Sequence, residues 1–194
     1  MAWSGLVAFA LSGCSSIGSL VTKAPPPAYD LVAARDFPHR GRNLSGQLII
    51  AEPTGLAALD SDRIVVQPSP GQAAALGGAQ WEDRLPKLIQ ARLLQSFENA
   101  NLLRRVGRPA DKLATDFVLM SDVRAFGISV ADQSATIEIA VKIVRERTGR
   151  IITARVFRVV APADSTEGPA AVAALNAAFA KVAKEIVLWA ARAV

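Results

Sequence analysis

The chain has a single cysteine and a single histidine in 194 residues. One cysteine excludes an intrachain disulfide, so stability must come from packing. His39 is the only imidazole and sits in a loop with Pro38, Arg40 and Gly41. A serine triad would have to be built on it, and no Gly-x-Ser-x-Gly elbow exists. Cys/His metal spacings, a Walker loop and a dinucleotide glycine fingerprint are all missing. Asp60, Asp62, Asp111, Asp116, Asp122 and Asp132 are scattered, show no calcium-loop spacing, and read as turn or cap residues. No catalytic residue, cofactor or metal site is expected, and the chain is not read as an enzyme. No stretch after the N-terminal segment reaches the roughly 20 apolar residues of a spanning helix. The net charge is +5, yet Lys and Arg form no single run; local groups are Arg104, Arg105, Arg108 and Lys112, and Arg145, Arg147 and Arg150. There is no basic helix and no aromatic–basic pattern, so nucleic-acid binding is not expected. These cations read as a solvated surface, or else as an attraction to anionic headgroups.

What is present begins near the N-terminus. Residues 6–11 are apolar, Ser12 and Gly13 are small, Cys14 follows, and three prolines stand at 25–27. This order resembles a bacterial lipoprotein leader with its lipobox. The resemblance implies cleavage before Cys14 and a diacylglycerol on its thiol, with Ser12 and Gly13 giving the peptidase room. The apolar run is too short to span a bilayer. Residues 1–5 carry no Lys or Arg, where a leader usually has a positive segment. The expected division is a signal peptide over 1–13, a lipidated tether over 14–28 stiffened by its prolines, and one domain over 29–194. Each buried acyl CH₂ contributes about 0.8 kcal/mol, so two or three chains hold firmly where one is marginal. Ser15 resembles the residue type that permits sorting to the outer membrane, whereas aspartate there would suggest retention at the inner one.

The rest alternates between strand and helix patterns. Residues 29–31 can open a strand, 35–46 read as a loop, 48–51 as a strand stopped by Pro53, and 63–67 as a strand closed by Pro68. Residues 68–79, rich in Pro, Gly and Ala, read as a loop. Trp81, Leu85, Leu88, Ile89, Leu93 and Phe97 recur at helical steps, which predicts a helix opened by Trp81 with Asp83 as N-cap, Pro86 in its first turn, and fraying at 99–101. A short edge strand is expected over 102–106, then strand segments over 117–130 with a bulge near Gly127. Residues 136–143 alternate strictly, as a half-buried strand does. A tight turn at Thr148-Gly149 would pair Ile143 with Ala154 and Val141 with Val156, set Lys142 opposite Arg155, and leave a bulge near Phe157. Val172, Leu175, Phe179, Val182, Ile186 and Trp189 form the stripe of a last helix, with Pro169 in its first turn. The expected fold is α+β: a curved, mainly antiparallel sheet of about five or six strands covered by two main helices, near 81–100 and 169–192, with Phe179 and Trp189 in the core.

Three pieces in order carry a family resemblance: Asp60-Ser61-Asp62-Arg63-Ile64-Val65-Val66, then Trp81-Glu82-Asp83-Arg84-Leu85-Pro86-Lys87-Leu88-Ile89, then Asn101-Leu102-Leu103-Arg104-Arg105-Val106. Together with the lipobox, the meander and the last helix, they resemble the ABC-type transport auxiliary lipoproteins. The Gly/Ala loop before Trp81 departs from that family, where aromatic residues are frequent. The resemblance implies a periplasm-facing accessory lipoprotein, in the outer membrane rather than the inner one. Its partners would be an MCE-domain protein, a permease and an ATPase, in a system that moves phospholipids or other hydrophobic molecules across the Gram-negative envelope. Two other readings stay open: a lipid-carrying chaperone with its own acyl cavity, and a structural envelope lipoprotein. Trp81, at a groove, and Arg104, Arg105 and Arg124, beside edge strands near 102–106 or 117–130, are the candidate contacts for a partner or lipid. Radiolabelled palmitate is expected to enter the natural chain and not Cys14→Ser; equal labelling would contradict lipidation at Cys14.

Overall fold

The computed structural model describes residues 25–38, 44–111 and 113–194. The leader, Cys14, His39 and the side chain of Arg104 lie outside the described residues. The class is α+β, with two helices on one side of a sheet curled into a half-barrel. The strands are β1 (Ala28–Tyr29), β2 (Leu44–Ile50), β3 (Thr54–Gly55), β4 (Arg63–Gln67), β5 (Ala74–Trp81), β6 (Leu103–Gly107), β7 (Phe117–Ser129), β8 (Ser134–Arg145) and β9 (Arg150–Pro162). The helices are α1 (Leu85–Ala100) and α2 (Gly168–Ala190). None of the described helices is long and apolar enough to cross a membrane.

Strand β7 organises the sheet. Its whole length pairs antiparallel with β8, and β8 pairs antiparallel with β9. Its other edge is shared in sequence by β2, β3 and β4, all parallel to it. Residues 117–130 are therefore central and not the edge the sequence suggested, and the sheet is mixed, with the long antiparallel meander as its larger part. Beyond β2 lies β6, which is a true edge; beyond β4 lie β5 and β1. The bulge falls at Arg124, between the pairs Val123–Ile139 and Ala125–Glu138, and not at Gly127. Gly127 has another task. A Cβ there would lie 2.7 Å from the Val65 carbonyl oxygen, so glycine lets β4 lie against β7.

The ends of two expected loops are strands. The segment 74–81 lacks β-branched residues, the usual strand signal, yet it pairs with β4 on one side and β1 on the other. Strand β2 begins at Leu44, inside the expected loop. Trp81 ends β5 instead of opening α1, its backbone N–H donating to the Asp62 carbonyl at 2.7 Å. Asp83 does not cap α1: the N-cap position is Arg84, with no side-chain cap. Asp83 accepts the Arg84 backbone N–H at 2.7 Å, and this bond lowers its carboxyl pKa. The helix ends as expected, with Asn101 in the left-handed conformation and its N–H reaching the Phe97 and Glu98 carbonyls. The turn between β8 and β9 is longer than two residues. Arg145 pairs with Arg150 around a short 3-10 turn and Gly149 at φ +64°. Ile152 is then an extra residue, so Val141 faces Arg155 and Lys142 faces Ala154, one step from the expected register. Phe157 pairs regularly with Ile139, and the expected bulge there is absent.

The helices fill the inner face of the sheet. Leu119, Ile128, Ile137, Ile139 and Ile143 from the sheet meet Leu175, Phe179, Val182 and Ile186 of α2, all at 0% exposure. Phe126 links Trp81, edge-on at 5.9 Å, to Phe179 at 6.1 Å. Trp189, expected in the core, is half-buried at its border, edge-on to Phe157 at 5.4 Å. Phe179→Ala is expected to cost about 3–5 kcal/mol in a urea titration, the range for emptying an aromatic core site. Gly127→Ala should cost about 1–3 kcal/mol, because a backbone carbonyl cannot swing away as a side chain would; unchanged midpoints would contradict both placements.

Candidate functional site

Among the described residues, only one face of the meander is covered by helices. On the other, strand alternation sets out rows across β7, β8 and β9: Val118–Val144–Ile151, Met120–Lys142–Ala154, Asp122–Ala140–Val156, Ala125–Glu138–Arg158 and Gly127–Thr136–Val160. Met120, Ile151, Val156 and Val160 are 43–54% exposed on this face.

A cleft of about 640 Å³ opens on this face, floored by Met120, Ala140, Ala154 and Val156 and walled by Glu52 and Thr54. The wall is fixed from several sides. Ala51 N–H donates to the Leu119 carbonyl at 3.0 Å, and Gln90 Nε2 to the Ile50 carbonyl at 2.9 Å. Thr54 Oγ1 donates to Asp122 Oδ1 at 3.3 Å. Arg84, at the start of α1, reaches Glu52 Oε1 at 3.2 Å and also binds Asp60. The hydrogen bond to Asp60 raises the guanidinium pKa above its ordinary value.

Arg124 stands at the rim, placed there by its bulge. Its guanidinium is 3.8 Å from Asp122 and 3.7 Å from Glu138, and Glu138 also accepts from Arg158 at 3.1 Å. A second hollow of about 380 Å³ lies past Arg124 and Arg158, beside the exposed Leu56. The face thus joins apolar floor to charges of both signs. Among the described residues no group of three His, Cys, Asp or Glu is placed to hold a metal.

The four candidate contacts are not brought together. Arg124 lies at the cleft, while Arg105 is exposed on the edge strand β6 and lines neither hollow. Arg104 is in β6 as well. Trp81 is 1% exposed and belongs to the core, so it is not a groove residue. Met120, Lys142, Val156 and Arg158 were missed. The off-core phase of residues 136–142 was visible in the sequence, but without the register of β9 nothing said what stood beside it.

A family model for the ABC-type transport auxiliary lipoprotein component matches residues 29–187. The chain belongs to the ABC-type transport auxiliary lipoprotein family. An uncharacterized protein of Bradyrhizobium diazoefficiens is 36% identical over 170 residues, covering 86% of this chain and 45% of that protein. The chain thus spans less than half the length of that relative. The crystal structure of protein XCC0632 from Xanthomonas campestris, of the DUF330 family, is 29% identical, with a TM-score of 0.79 over 86% of this chain and 96% of that one. A further uncharacterized protein of known structure shares the fold at 15% identity and a TM-score of 0.64, over 83% and 99% of the two chains. The family's description places its members as lipoprotein components of ABC-type transport systems.

Glu138→Ala would leave Arg124 and Arg158 facing each other. Because both arginines are half-exposed or more, the expected loss is about 0.5–1 kcal/mol at low salt, shrinking at high salt. A loss that does not respond to salt in urea titrations would contradict the charge account.

Proposed function

We propose that this chain is the periplasm-facing docking component of an MCE-type ABC transport system, held in the outer membrane by lipid on Cys14. Its partner is the MCE-domain protein that works with the permease and ATPase to move phospholipids or other hydrophobic molecules. The chain itself carries out no chemical step. The observation that carries this reading is the division of labour between the two faces of the sheet. The helix side is filled by Trp81, Phe126, Phe179 and their neighbours. The other side is open, apolar at its floor and charged of both signs at its rim, as protein contact surfaces with a polar border are.

The apolar floor favours one second reading, a carrier that lays part of an acyl chain along Met120 and Val156. One experiment separates the two. Full-length chain in detergent should capture the cognate MCE protein at micromolar concentration, and Met120→Glu should weaken that capture without unfolding the protein. No capture, together with phospholipid co-purifying stoichiometrically with the chain, would replace docking by carriage.

A further inference from the structure

Strand β9 is the long free edge of the sheet. It runs for 13 residues and, among the described residues, pairs with β8 alone. Among the described residues, no backbone hydrogen bond joins it to any other element. The other borders are blunted: β6 has five residues, and β5 is partly covered by β1. Folded proteins usually shorten, bulge, charge or cover such an edge, because unpaired N–H and C=O groups recruit another strand. In β9 the one extra residue, Ile152, lies near its start, and the only proline is its last residue. Residues 153–160 therefore offer an unbroken ladder.

The composition of that ladder selects its occupant. Strand β9 contains Arg150, Arg155 and Arg158 and no Asp or Glu. Arg158 is engaged by Glu138. Arg155 meets an aromatic face, its guanidinium 4.9 Å from the centre of the Phe157 ring. Two copies of β9 side by side would crowd these arginines, so the edge is set against its own copy and toward an acidic strand. Along the outer row, Ala154, Val156 and Val160 continue the apolar floor of the cleft.

We propose that the free edge of β9 is a strand-addition site for an extended, acidic segment of a partner protein. The backbone supplies the hydrogen-bond ladder, Val156 and Val160 receive alternate apolar side chains, and Arg155 receives a carboxylate. The biological use of this edge rests on the docking reading, but its test does not. A short synthetic peptide alternating Val and Glu is added to the full chain, and amide hydrogen exchange is followed along β9. The expected result is slowed exchange within 153–160, weakened by salt and by about tenfold or more in Arg155→Glu, and retained in Arg155→Lys. Unchanged exchange in β9 would overturn the proposal. So would equal protection by a Val/Lys peptide, or protection that grows with protein concentration without peptide. Peptide failure alongside capture of the MCE protein removes the edge and leaves docking; the converse removes docking and leaves the edge.

Discussion

Both halves of the sheet hang on the approach of β4 to β7 at Gly127. Strand β7 gives one edge to β8 and divides the other among β2, β3 and β4. That division works only if successive parallel strands can come close to the same backbone. At Gly127 the Val65 carbonyl occupies the place a side chain would need. The sheet curls around this shared strand, and its inner side becomes the trough into which the two helices pack.

The helices are in turn held by a segment with almost no regular structure. Residues 30–37 cross α1 and α2, and side chains satisfy their backbone. Ala34 N–H donates to Ser96 Oγ, Asn99 Nδ2 to the Ala34 carbonyl, Val32 N–H to Asn176 Oδ1, and Lys184 Nζ to the Asp36 carbonyl. Arg92 binds Asp30 at its start. Leu31, Ala34 and Phe37 are buried beneath it. With the helices strapped to one face, the other is free for a partner without exposing the core. Packing thus lies in one layer, and the proposed contact surface lies in the other.

Elements with a strong period could be read from the sequence. The stripes of α1 and α2, Pro169 in the first turn of α2, and the alternation of β8 follow from spacing alone. Strand β5 was hidden because Ala and Gly carry no strand signal, and only its neighbours make it a strand. The register of β9 was off by one because a four-residue turn and the extra Ile152 both looked like ordinary alternation. That single step moved Val156 beside Ala140 and Arg155 beside Val141, and with them went the outer face. Arg124 was found as a cation, but its setting between Asp122 and Glu138 depends on a bulge the sequence does not mark. Trp81 looked like a groove residue because its pairing with Tyr29 lies outside any local pattern.

The functional account joins family membership to an asymmetric sheet: a packed, helix-covered side and an open side with apolar floor and paired charges. Its central claim is that the open side is where the transporter is met. The most direct measurement is amide hydrogen exchange of the full-length chain with and without the cognate MCE protein. The account predicts slowed exchange in 118–124, 138–142 and 150–160, with α2 unchanged. Protection confined to α1 and α2, with the sheet exchanging as in the free chain, would contradict it.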